Sequence, residues 1–190
     1  MRTQIRISWL LTIVTVVLLC LSVSAQESLI RKDGEPLTDF CQRILPAGME
    51  FAHPPLQVKI GPVSNNIVVL FRLTDNTNEN FTGWVLVPDT SNAHSYTKYV
   101  LPPMFEAPDS FSIEIKAVFG AQLANQAGRD LVVLYEYHRN GRPQDSGHAS
   151  YVYYWTGKDF QLRDKLWEKL AGLRTASAVR QKLRTLPQLK

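Results

Sequence analysis

Two short, mainly apolar runs that are rich in β-branched residues set the strongest limit on the fold of this chain. Residues 67–73 read Ile-Val-Val-Leu-Phe-Arg-Leu, and 64 positions later residues 131–135 read Leu-Val-Val-Leu-Tyr. Runs of this length and composition, bounded by polar turns, predict strands rather than helices. Each run is followed by a polar turn and an aromatic-rich return segment. The sequence therefore predicts two hairpins. Their similarity could come from duplication, or from the ease with which strand-forming residues recur.

The other strand-like segments extend these hairpins into one antiparallel sheet. Turn-forming residues separate them, and they lie at 82–87, 111–119, 131–138 and 150–156. Paired prolines at 54–55 indicate a loop before the first strand, because proline has no amide hydrogen to donate to a neighbouring strand. The predicted sheet therefore covers about 56–156, after a polar lead-in at 26–36.

Both flanks of the predicted sheet have the residue spacing of helices. Phe40, Cys41 and Ile44 lie on one face of a short helix before the sheet. After it, apolar residues, most of them leucine, recur every three or four positions over 162–186, with Lys and Arg on the opposite face. We therefore predict an α+β fold for residues 37–190, in which a short N-terminal helix and C-terminal helices pack on an antiparallel, blade-like sheet.

The first 25 residues have the features of a secretory signal peptide. A short basic stretch precedes 17 uncharged, mainly apolar residues, and Val23 and Ala25 are the small residues that signal peptidase accepts. Cleavage before Gln26 would leave residues 26–190 in the periplasm or outside the cell. A retained membrane anchor is the alternative, since spans need roughly 17–25 apolar residues.

Positive charge is concentrated at the C-terminal end. Residues 161–190 carry a net charge of +6, whereas residues 26–160 carry −4. Such asymmetry is typical of a contact with an anionic partner or of a solvated helix face. The predicted contacts are Arg174, Arg180, Lys182 and Arg184. A peripheral module on an anionic membrane is a second alternative function for this segment. Nucleic acid is excluded, because the export signal and the lack of a phosphate-binding turn both oppose it.

One segment of the second half has a recognisable pattern. It begins with Phe-Gly-Ala at 119–121, continues with Gly-Arg-Asp-Leu-Val-Val at 128–133 and ends with Tyr-Val-Tyr at 151–153. Over about 119–155 the chain resembles an FG-GAP repeat, a blade of β-propellers. It also resembles secreted bacterial proteins of unknown function that contain the same Asp-Leu-Val-Val-Leu-Tyr-Glu-Tyr segment. The resemblance implies a blade-like antiparallel hairpin.

The calcium loop of the FG-GAP family has no counterpart here. Where the family has repeated aspartates, residues 121–129 read Ala-Gln-Leu-Ala-Asn-Gln-Ala-Gly-Arg. Calcium takes roughly six to eight oxygen ligands, and only Asn125 and Asp130 could supply them. We therefore predict no calcium, no other metal and no cofactor.

Aromatic residues are dense on the last predicted hairpin. Side chains alternate between the two faces of a strand, so Tyr135 and Tyr137 lie on one face of the first strand. Tyr151, Tyr153 and Trp155 lie together on one face of the partner strand. Such rings either stack on a sugar or peptide, or join the two strands by cross-strand pairing. We predict a binding surface, and a non-catalytic exported protein that binds a protein, peptide or polysaccharide of the cell envelope.

A carboxylate and two histidines provide an alternative to the binding function. Glu136 and His138 share one face of their strand, and His148 lies across the hairpin. A carboxylate next to an imidazole is the minimum for acid–base catalysis. The alternative is therefore a small periplasmic or secreted hydrolase that uses Glu136 with His138 or His148.

Overall fold

The structure is a computed structural model, and it describes residues 28–73, 81–92, 94–103, 111–124, 128–139 and 142–186. The predicted signal peptide at 1–25 lies outside these residues. The described chain forms nine strands in two antiparallel sheets. None of the helices in these ranges has the length and apolar character that crossing a bilayer requires.

The N-terminal sheet contains five strands in the order β1-β5-β4-β3-β2. Their bounds are β1 Ser28–Ile30, β2 Met49–Ile60, β3 Val63–Leu73, β4 Thr82–Pro88 and β5 Ser95–Val100. The paired prolines do not interrupt the sheet, and the loop predicted at 54–55 is wrong. β2 passes through them with irregular register between Phe51 and His53 and between His53 and Leu56. Such irregularities, on a strand at the sheet edge, accommodate residues without an amide hydrogen.

The C-terminal sheet is a meander of four strands in the order β6-β7-β8-β9. Their bounds are β6 Phe111–Ala121, β7 Asp130–Arg139, β8 Arg142–Trp155 and β9 Phe160–Leu162. The segment that resembles an FG-GAP repeat therefore includes the end of β6, all of β7 and β8.

The helices are short and lie near the two ends of the described chain. Their bounds are α1 Leu37–Ile44, a 3-10 turn Asp164–Leu166, α2 Trp167–Leu170 and α3 Ala176–Thr185. Gly172, at φ +78°, separates α2 from α3. The hydroxyl of Thr175 then caps α3 by accepting a 3.2 Å hydrogen bond from the amide of Ala178.

Three apolar clusters hold these layers together. Between the sheets, Val68 and Leu70 of β3 belong to the same cluster as Leu131 and Val133 of β7. The outer face of the N-terminal sheet packs on α1, and the outer face of the C-terminal sheet packs on the segment from the 3-10 turn to α3. The central strands β3 and β7 are thus buried on both faces, which explains their continuous apolar runs.

The predicted α+β class and the single blade-like sheet are wrong. More than half of the described residues lie in strands and fewer than a fifth in helices, so the fold is mainly β, with two sheets face to face. The physical reason is that a strand covered on both faces has no alternation of apolar and polar residues. The two apolar runs therefore do not indicate whether the chain forms one sheet or two.

Candidate functional site

The five aromatic residues predicted as a binding surface face the space between the two sheets. Tyr151 and Tyr153 are buried in the inter-sheet core, and Tyr135, Tyr137 and Trp155 pack against it partly buried. The rings of Tyr135 and Tyr151 stack with their centroids 4.8 Å apart. The arrangement therefore contributes to the core, and the binding role predicted for these residues stays a prediction.

Burial also changes the properties of the tyrosine hydroxyl groups. Desolvation raises the pKa of Tyr135 and of Tyr153 well above the ordinary value, and for Tyr135 a hydrogen bond with Tyr151 adds to the increase. The hydroxyl of Tyr153 has no hydrogen-bond partner in the described part of the chain. Both groups are therefore neutral at physiological pH.

A cavity of about 370 Å³ lies at the edge of β8. It exists because β9 pairs with β8 only at residues 153–155, and no other described strand pairs with this edge. The chain continues from β9 through the 3-10 turn and α2, which pack beside β8. The cavity between them is lined by Tyr135, Ser150, Tyr151, Val152, Leu162, Arg163, Asp164 and Trp167. We call it the edge cavity.

Two backbone hydrogen bonds mark the limits of the edge cavity along β8. The amide of Arg163 donates to the carbonyl of Val152, and the amide of Gly172 donates to the carbonyl of His148, both at 2.8 Å. Alternate residues of an antiparallel strand direct their backbone groups to the same side. The amide and carbonyl of Ser150, between these two positions, therefore also point away from β7.

The side chain of Ser150 is a buried polar group in an apolar environment. The residue is 1% exposed, and its Oγ has no hydrogen-bond partner among the described residues. A buried hydroxyl without a partner costs about 1–3 kcal/mol of stability. A ligand that hydrogen-bonds to Ser150 would recover part of this free energy.

The mouth of the edge cavity has one exposed aromatic residue and one buried ion pair. Trp167 is 53% exposed. Arg163 Nε lies 2.7 Å from Asp130 Oδ2, and its guanidinium group lies 4.2 Å from the centre of the Tyr154 ring. Burial raises the pKa of Asp130, and the hydrogen bond from Arg163 opposes that effect. The ion pair holds Arg163, the lining residue next to Leu162, in place. The exposed part of Trp167 is accessible to a ligand.

The residues predicted for a hydrolase do come together on the outer face of the C-terminal sheet. Glu136 Oε2 lies 3.6 Å from His138 Nε2, and Glu136 Oε1 lies 3.9 Å from His148 Nε2. Two further residues complete the group: Lys116 Nζ lies 2.8 Å from Glu136 and 2.7 Å from Glu114. Sequence reasoning missed Glu114 and Lys116, because only the register of β6 against β7 brings them opposite Glu136.

The ammonium of Lys116 offsets part of the negative charge of this polar group. The hydrogen bond from Lys116 lowers the pKa of Glu136, and the two carboxylates raise the pKa of Lys116. Ligand atoms of Glu114, Glu136 and His138 lie within 4.8 Å of one another, a spacing that metal sites use, but the ammonium of Lys116 already lies between the carboxylates. A general base works best with a pKa near the working pH. Glu136 is shifted away from that range.

Of the four basic residues predicted as partner contacts, two converge and two do not. Arg180 and Arg184 line a cavity of about 120 Å³ together with Arg129, which the sequence had not indicated, and with residues 120–122. Arg174 and Lys182 are exposed elsewhere on the same segment. Arg129 precedes β7, and only the fold brings it next to α3.

Comparison with known proteins gives no relative. No family model matches the chain, and no curated protein or solved structure is significantly similar to it. The resemblance of residues 119–155 to an FG-GAP repeat therefore stays a resemblance.

Proposed function

We propose that the protein is an exported, non-catalytic binding protein that holds a segment of a partner polypeptide at the edge cavity. The observation that carries this proposal is Ser150, a buried hydroxyl without a partner on the wall of an apolar cavity. Export rests on the signal peptide predicted at 1–25, and it would place the partner in the cell envelope.

The lining of the edge cavity favours an apolar side chain as its occupant. Its volume is within the range of ligand pockets, about 300–1,000 Å³. Its lining is mainly apolar and includes Tyr135, Tyr151, Val152 and Leu162. Trp167 at the mouth is the kind of exposed aromatic residue that dominates binding energy in protein interfaces.

The backbone at Ser150 favours an extended polypeptide over other ligands. The amide and carbonyl of Ser150 point outward at the spacing that a peptide backbone matches. Because Ser150 is 1% exposed, a partner reaches them only by displacing the adjacent 3-10 turn and α2. The 3-10 turn and α2 lie beside the neighbouring part of the edge, so only a short stretch of peptide fits there. The partner therefore inserts one apolar residue and pairs its backbone with Ser150.

A hydrolase is less well supported. Among the described residues, the carboxylate near both His138 and His148 is Glu136, and Glu136 is paired with Lys116. In these ranges neither imidazole has a serine or threonine hydroxyl as a hydrogen-bond partner, so no serine or threonine nucleophile is paired with a base there.

The test is a selection of peptides from a random display library on residues 26–190, followed by calorimetric titration of the enriched peptides. We expect Trp167→Ala to weaken binding by about thirtyfold, the loss typical of an interface hot spot. Ser150→Ala should weaken binding several-fold without lowering the melting temperature, because its hydroxyl has no partner in the free protein.

Val100→Ala is the matched control, since Val100 is an apolar residue of the other sheet that is 62% exposed. It should bind the selected peptides like the wild type. Failure to enrich any peptide, or equal affinities for the wild type and Trp167→Ala, would contradict the proposal. Self-association that Trp167→Ala abolishes would contradict it too, because the occupant would then be a second copy of this chain.

A further inference from the structure

Three arginines surround one small cavity on the outer side of the C-terminal sheet. The cavity of about 120 Å³ has Gly120, Ala121 and Gln122 of the β6 end as its floor, and Arg129, Arg180 and Arg184 as its walls. It is separate from the edge cavity, with which it shares no lining residue. We call it the arginine cavity.

Within the described part of the chain, no carboxylate balances the positive charge of the arginine cavity. Within the described ranges, none of the guanidinium groups of Arg129, Arg180 and Arg184 forms an ion pair with a carboxylate, and no acidic residue lines the cavity. Arg180 and Arg184 are four residues apart on α3, a spacing at which like charges destabilise a helix. An anion in this cavity would remove that repulsion.

Two of the three arginines are held in place from outside the cavity. The guanidinium group of Arg180 lies 4.3 Å from the centre of the Phe119 ring, a cation–π contact that fixes its position. The carbonyl of Arg129 accepts a 2.8 Å hydrogen bond from the amide of Gly61, which ties this residue to the other sheet. The cavity is therefore partly organised before a ligand binds.

The floor of the cavity depends on a residue without a side chain. A Cβ at Gly120 would lie 2.5 Å from the carbonyl oxygen of Lys59, so no other residue fits between the two sheets at this point. The close approach of the sheets there brings Arg129, next to Gly61, toward the end of β6. The positions of all three arginines thus follow from the sheet packing and from α3.

We propose that Arg129, Arg180 and Arg184 bind a phosphate group. Guanidinium groups match the oxygens of phosphate with pairs of parallel hydrogen bonds, and three of them compensate a dianion. A cavity of about 120 Å³ admits a group of this size but not a bulky ligand. The phosphate is either free in the medium or the headgroup of an anionic lipid, since both present the same oxygens.

The experiment titrates inorganic phosphate into residues 26–190 by calorimetry and by thermal melting. We expect phosphate to raise the melting temperature of the wild type, and each of Arg129→Gln, Arg180→Gln and Arg184→Gln to weaken binding about tenfold, the loss of one charge-assisted hydrogen bond. Without phosphate, Arg180→Gln should melt slightly below the wild-type temperature, because the lost cation–π contact with Phe119 outweighs the relieved repulsion on α3.

Arg174→Gln is the matched control, because it removes the same charge from the same segment outside the cavity. It should bind phosphate like the wild type. Equal weakening by Arg174→Gln and Arg180→Gln would overturn the proposal in favour of a general effect of charge, and so would the absence of phosphate binding by the wild type. Flotation with phosphatidylcholine vesicles, with and without phosphatidic acid, identifies the source: arginine-dependent flotation only with phosphatidic acid assigns the site to a lipid headgroup, and its absence assigns it to soluble phosphate.

Discussion

Both sheets have a short strand at one edge, but this strand covers a different fraction of its neighbour in each sheet. Each has a three-residue strand at one margin: β1 pairs with residues 95–97 of β5, and β9 pairs with residues 153–155 of β8. β5 has six residues, so β1 covers half of it. β8 has 14 residues, and β9 covers only its last part. The C-terminal sheet therefore has a long margin without a strand partner in the described ranges.

That difference decides where a ligand can bind. An open strand edge attracts other polypeptides unless it is short, charged or covered. In this protein the 3-10 turn and α2 cover part of the β8 edge and leave the edge cavity beside Ser150. The N-terminal sheet also has a short strand at its margin, but neither of the two cavities described above lies there. We infer that strand length, rather than the aromatic content of the hairpin, distinguishes the sheet with the proposed binding site.

The first test of the comparison weakens the packing of the helix that covers each sheet. Phe40 of α1 and Leu170 of α2 are both completely buried, each against the outer face of one sheet. We expect Phe40→Ala to lower the free energy of unfolding by about 3–5 kcal/mol and Leu170→Ala by about 2–5 kcal/mol, through lost burial and a cavity. Urea denaturation measures both. A loss below about 1 kcal/mol for Leu170→Ala would show that the C-terminal sheet is stable without its cover.

The second test compares the ion pairs of the two halves. Asp130 and Arg163 form a buried pair, whereas Glu35 and Arg43 form a pair near the surface. Removing one partner of a buried pair leaves an uncompensated charge, so Asp130→Ala should cost about 3 kcal/mol. The double variant Asp130→Ala/Arg163→Met should recover most of that loss. Equal stabilities of the single and double variants would contradict the role of burial.

The pH dependence of stability should have opposite signs at these two carboxylates. The hydrogen bond from Arg43 lowers the pKa of Glu35 from 4.5 to about 2, so its stabilising effect is present above pH 4.5 and is lost as the pH falls toward 2. Burial raises the pKa of Asp130, so its contribution is present in acid and is lost as the pH rises through that pKa. Urea denaturation between pH 2 and 5 should therefore show a weaker acid loss for Glu35→Gln than for the wild type. An unchanged acid loss would contradict this assignment.

The fourth and smallest effect concerns a hydroxyl in the shared core. Tyr153 lies between the sheets with its hydroxyl unpartnered among the described residues. Tyr153→Phe removes that group and keeps the ring, so we expect the protein to become more stable by about 1 kcal/mol. Thermal melting measures the shift. Tyr96→Phe, a buried tyrosine on the N-terminal sheet, is the comparison, and a larger gain there would contradict the prediction.

The sequence predicted individual strands better than their assembly. The runs at 67–71 and 131–135 are central strands, β3 and β7, but an offset of 64 aligns residues of opposite faces. Val68 faces the other sheet, whereas Val132 at the aligned position faces the C-terminal helices. Because both faces are apolar, the runs look alike in either register. The similarity that suggested a duplication therefore reflects burial on both faces.

The candidate sites were predictable only where the residues share one strand or helix. Glu136 and His138 lie on one face of β7, and Arg180 and Arg184 on one side of α3, as spacing in the sequence indicates. The edge cavity depends on where β9 stops and on how the chain returns past Ser150. No local pattern contains that information, because it arises from contacts between separate elements.

The most direct measurement is hydrogen exchange of backbone amides with and without a selected peptide. If the edge cavity is the binding site, the β8 segment that contains Ser150 exchanges more slowly when the peptide is bound, and β5, Ser95–Val100, is unchanged. Protection of β5 or of α3, with β8 unchanged, would place the ligand elsewhere and contradict the account.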